Sequence, residues 1–69
     1  MITARLYKYE GSVTRGLPEI GKPIQLFAIP QVGDIIDSSN NPNEPAYKVE
    51  FVVYVIDEDG VRLIVSPQD

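Results

Sequence analysis

Residues 47 to 65 read YKVEFVVYVIDEDGVRLIV. The run starts as an amphipathic strand, with Tyr47, Val49 and Phe51 alternating against Lys48 and Glu50, and after Phe51 both faces turn apolar. The polar segment DEDG, residues 57 to 60, interrupts it before Val61 to Val65 resumes a β-branched pattern, so the whole reads as two strands of a hairpin. Two turn registers are available. A four-residue loop over 57–60 pairs Ile56 with Val61 and sets Val55 opposite Arg62. A three-residue loop with Gly60 in the left-handed conformation pairs Asp57 with Val61, Val55 with Leu63 and Val53 with Val65. Only the second collects an all-apolar face, and it is the register expected. Its inward set is Tyr47, Val49, Phe51, Val53, Val55, Leu63 and Val65. Its outward set still holds four large apolar residues, Val52, Tyr54, Ile56 and Ile64. Either the strand bends, so that other parts of a small barrel cover this second face, or the face is an interface for another copy or another protein.

The rest of the chain reads as strands and turns. Eight Val and eight Ile among 69 residues favour sheet, and no segment keeps an i, i+3, i+4, i+7 apolar pattern between caps. ITARLYKY, residues 2 to 9, alternates Ile2, Ala4 and Leu6 against Thr3, Arg5, Tyr7 and Tyr9, as a half-buried first strand does. EGSVTRGLPEIGKP, residues 10 to 23, is a long Gly- and Pro-containing loop with Leu17 or Ile20 as the residue to tuck onto the core. IQLFAI, residues 24 to 29, is the second strand, ended by Pro30. QVGD turns the chain with Gly33 free to take positive φ and Asp34 placed to bond the turn backbone, and Ile35 and Ile36 begin a short third strand. DSSNNPNEP, residues 37 to 45, has no apolar residue and reads as a solvated loop. One all-β domain over residues 1–69 follows, five-stranded, antiparallel and with little or no helix.

Composition narrows the chemistry. With no His and no Cys, the commonest general base, the commonest metal ligand and the thiolate nucleophile are all missing, so no catalytic residue, metal site or cofactor is expected. Asp57, Glu58 and Asp59 lack the spaced ligands of a calcium loop and read as a solvated tip. The longest apolar run, Phe51 to Ile56, is too short to span a bilayer, and no apolar segment follows the first basic residues, so a soluble cytoplasmic protein without membrane contact is the expectation.

The net charge of −4 is unevenly spread. Residues 1 to 24 carry Arg5, Lys8, Arg15 and Lys22 against Glu10 and Glu19, whereas the rest holds only Lys48 and Arg62 against eight carboxylates. Arg5, Tyr7 and Tyr9 on one strand face, with Lys8 beside them, have the residue types of a base-stacking groove. The acidic remainder repels a long polyanion, so nucleic acid is not the expected partner.

The order of elements resembles an SH3-like small β-barrel. RLYKY, Arg5 to Tyr9, is similar to the aromatic first-strand motif of eukaryotic SH3 domains, and GDII, Gly33 to Ile36, is similar to the turn and strand after their first loop. The resemblance implies a groove for Pro-rich peptides on Tyr7 and Tyr9. Together these readings lead to a non-enzymatic interaction module, self-associating as a homodimer or binding a protein partner through Val52, Tyr54, Ile56 and Ile64. The alternatives are a peptide or nucleic-acid groove on Arg5, Tyr7, Lys8 and Tyr9, or an acidic accessory protein that occupies a partner's basic site, as some small phage and mobile-element proteins do.

Overall fold

A computed structural model describes residues 1–11, 16–37 and 45–68. They form one five-stranded sheet curled into a half-barrel, with no helix among the described residues. The strands are β1 (Ile2–Lys8), β2 (Ile24–Leu26), β3 (Ile35–Ile36), β4 (Ala46–Val53) and β5 (Val61–Gln68), ordered β2-β1-β5-β4-β3 across the sheet. Three pairings are antiparallel. The β1–β5 pairing is parallel, so the sheet is mixed and the expectation of a wholly antiparallel one is corrected there. No hairpin joins β1 to β5, and nothing local forces them to run in opposite directions.

The inner face holds the core. Ala4 and Leu6 of β1, Val49 of β4, and Val61, Leu63 and Val65 of β5 are buried, with Leu63, Val49 and Val65 fully so. Ile2, Ile20, Ile24, Leu26, Ile29, Ile36, Tyr47 and Val52 pack around them. Ile20 is the anchor of the first loop: its N–H donates to the Leu6 carbonyl at 2.7 Å, and the Lys8 N–H donates to the Pro18 carbonyl at 2.9 Å, extending pairing along β1. β2 stops at Leu26, three residues short of the expected strand, because Leu26 lies opposite Ile2, where β1 begins, and nothing beyond offers a ladder partner. The chain then passes from the β2 edge to the β3 edge, with Ile29 packed on the core. It turns at Gln31–Asp34, where Gly33 has φ 96° and the Asp34 carboxylate accepts the Gln31 N–H at 2.8 Å. The loop segment 38–44 lies outside the described residues.

The hairpin departs from both registers considered. Val53 pairs with Arg62, Val52 with Leu63, Phe51 with Ile64 and Val49 with Val65, and a bulge falls between Val49 and Phe51. The extra residue reverses the phase of β4. Val49 points inward before the bulge and Val52 after it, while Phe51 turns outward and is 40% exposed. The connection therefore runs from Tyr54 to Gly60 instead of closing tightly over 58–60. Its geometry is set outside the hairpin. Val61 aligns with Ala4 of β1, and Gly60 lies so close to β1 that a Cβ on it would sit 2.0 Å from the Thr3 carbonyl oxygen. Pro67 lies within β5 opposite Tyr47. β1 has already ended opposite Val65, so on that side β5 is an edge, where a missing N–H breaks no ladder.

Candidate interaction surfaces

On the outer face of the sheet, Tyr7, Ile64 and Phe51 form one row across β1, β5 and β4, and Arg5, Arg62 and Val53 form the next. Tyr9 follows directly on β1 and Phe51 lies on β4, with β5 between these strands, yet their ring centroids are 5.6 Å apart at 56°, so the rings meet over β5. Ile64, which lies on β5 opposite Phe51, is only 5% exposed. It belongs to a small second core on the back of the sheet. The second apolar face of the hairpin is thus partly internal.

Ion pairs flank this aromatic group. The Arg62 guanidinium donates to Glu58 from Nη2 at 2.6 Å and from Nε at 3.2 Å, and its carbon lies 5.6 Å from the Tyr7 ring centroid. Arg5 faces Glu19 at 3.7 Å, tying β1 to the first loop. The hydrogen bonds from Arg62, reinforced by its charge and that of Arg5, hold the Glu58 carboxyl below its ordinary value of 4.5, and the same pair raises the Arg62 guanidinium above its own. A carboxyl whose pKa is lower in the folded chain stabilises the fold fully above its unfolded pKa, and that contribution is lost as pH falls through the lowered value. Glu58→Gln is expected to flatten the loss of stability below about pH 4.5. Unfolding midpoints of the two proteins across the acid range check this, and identical pH profiles would contradict it.

A different surface lies at one end of the half-barrel. The registers bring together the start of β1, the end of β2, the end of β4 and the start of β5. Phe27 leaves β2 here and is 90% exposed, Tyr54 and Ile56 lie on the β4–β5 connection and are 66% and 100% exposed, and Met1, just before β1, is exposed as well. Four of the seven large exposed hydrophobics among the described residues therefore share this end. Asp57 and Asp59 are exposed next to Ile56 and form no salt bridge among the described residues, whereas Glu58 between them is turned to Arg62.

Comparison with protein-family models, with curated proteins and with solved structures finds no match.

The four residues expected to form one apolar face are divided among three environments. Val52 packs on the main core, Ile64 is buried on the outer face, and Tyr54 and Ile56 are on the connection at the apolar end. The bulge and the seven-residue connection separate them. Arg5, Tyr7 and Tyr9 share the outer face, with Phe51 and Arg62 joining them, while Lys8 is exposed near the far end of β1. The sequence places Phe27 inside the expected strand 24–29, where alternation does not mark it as exposed. Its signal was the shortness of the partner available, since β1 has no residue to pair with anything past Leu26. Among the described residues no helix is long and apolar enough to cross a membrane, and no group of three carboxylates stands together to hold a metal ion.

Proposed function

We propose that the protein is a non-enzymatic interaction module that binds a protein surface through the apolar end formed by Met1, Phe27, Tyr54 and Ile56. The observation that carries this reading is the concentration of fully or largely exposed apolar side chains at one end of so small a fold. Together these side chains expose on the order of 600 Å², close to the roughly 800 Å² per partner that a stable interface buries. A second copy is one candidate occupant, because identical patches pair across a two-fold axis.

Replacing both Tyr54 and Ile56 by Ser tests the surface. Neither side chain contributes to the core, so the unfolding free energy is expected to change by less than about 0.5 kcal/mol. Retention on a phenyl matrix and any concentration-dependent gain in solution mass are expected to fall together. An unfolded variant, or a folded one with undiminished retention and mass, would overturn the proposal.

A second reading is favoured by the Tyr9–Phe51 contact and by Arg62 over Tyr7. It extends the SH3-like reading of the half-barrel, which rests on element order and the RLYKY and GDII motifs, to a peptide groove on the Arg5, Tyr7 and Tyr9 face. Nucleic acid is the weaker ligand for that face, because Arg5 and Arg62 are each already opposed by a carboxylate.

A further inference from the structure

We infer that the apolar end takes a protein surface with an apolar centre and a basic rim, in preference to a second copy of this chain. The inference rests on the apolar end being the binding surface, and it is carried by the charges around that end. Asp57 and Asp59 follow the fully exposed Ile56 and are exposed themselves, with no salt bridge among the described residues. Among the described residues the basic side chains are engaged or elsewhere. Arg5 and Arg62 face Glu19 and Glu58. Lys8 and Lys48 lie level with Val65 and Ser66, toward the opposite end of the sheet, and Lys22 precedes β2. A two-fold pairing of apolar ends brings two copies of the acidic connection to one interface, and like charges set face to face oppose association. A basic rim meets Asp57 and Asp59 with opposite charge while its centre covers Phe27, Tyr54 and Ile56. The apolar contact supplies affinity, and the two aspartates choose the partner.

The probes are two synthetic amphipathic peptides of one length and apolar pattern, one with Lys and the other with Glu at its polar positions. Each is titrated into the intact protein while backbone and side-chain resonances are followed by NMR. The Lys peptide is expected to shift Phe27, Tyr54, Ile56, Asp57 and Asp59, and to bind more weakly as salt is raised. Changing Asp57 and Asp59 to Asn is expected to weaken the Lys peptide about fivefold at low salt, leaving the unfolding midpoint unchanged. Equal binding of the two peptides, or an unaltered affinity after D57N and D59N, would overturn the basic-rim assignment while leaving the apolar end as a binding surface. Shifts confined to Tyr7, Tyr9 and Phe51, unaffected by Ile56→Ser, would overturn both. A solution mass that doubles with concentration and rises further with salt would replace the basic partner by a second copy.

Discussion

Gly60→Val is expected to prevent the protein from folding. The glycine has φ 87°, a conformation that a β-branched residue adopts only under strain, and the added Cβ would sit 2.0 Å from the Thr3 carbonyl oxygen and 2.9 Å from its carbon. Both neighbours are backbone atoms of β1, so no side-chain rotation relieves the clash. Either β1 or the β4–β5 connection has to move, and with it the pairing of Ala4 with Val61 that begins the central parallel ladder. The cost is expected to exceed about 4 kcal/mol, comparable with the entire stability of a domain this small. Gly11→Val is the control. Gly11 has nearly the same φ, 88°, but nothing lies within 4 Å of its Cβ position, so only the backbone preference is lost, about 1 to 2 kcal/mol. Urea unfolding of both variants distinguishes the two contributions. Equal midpoints would show that Gly60 does not abut β1 as described.

Leu63→Ala is expected to cost about 3 kcal/mol, with a range of about 2 to 5. Leu63 is fully buried on the inner face, between Leu6 of β1 and Val52 of β4 in the same row. Deleting its branched end leaves a cavity at the middle of the sheet, where neighbours on both sides are held by ladder hydrogen bonds and cannot collapse inward. Ile56→Ala removes a side chain of the same size from a fully exposed position and is expected to change the stability by less than about 0.5 kcal/mol. Thermal unfolding of the pair measures the difference. Similar effects would mean that the connection carrying Ile56 is packed and that the inward phase assigned to Leu63 is wrong.

The parts of this fold that were legible in the sequence are those decided locally. The alternation of Ile2, Ala4 and Leu6 predicts the inner face of β1, and Gly33 with Asp34 predicts the turn that Asp34 does close. The positive φ at Gly60 was expected too, although from a tight hairpin that does not form. What could not be read was the phase of β4 beyond Glu50. Val52 and Val53 are identical side chains, so alternation cannot say which of them points inward. A bulge that exchanges them leaves the apolar pattern unchanged. The length of the β4–β5 connection is likewise fixed by β1, nearly the full chain length away, through Thr3 and Ala4. Of the candidate surfaces, the grouping of Arg5, Tyr7 and Tyr9 follows from strand alternation alone. The apolar end does not, because Phe27 and Ile56 are set at the same end of the sheet only by the way β2 and β5 flank β1.

The position of β5 bears on how the chain comes to be folded at all. In sequence it follows every other strand, but in space it lies at the centre, flanked by β1 and β4. During synthesis β1 has only β2 and the first loop to pair with until residues 61–68 have been made. At about 5 to 20 residues per second, the interval between Lys8 and Val61 lasts on the order of 3 to 10 s. Throughout that time the edge of β1 that will receive β5 is open, and Leu6 lacks its central neighbour Leu63. The nascent chain is therefore most vulnerable to aggregation and to proteases until residues 61–68 have been added, and the sheet closes in a single step once they are present. A ribosome-stalled series should show protease resistance appearing abruptly once β5 has cleared the exit tunnel, with no gradual rise as β2, β3 and β4 emerge.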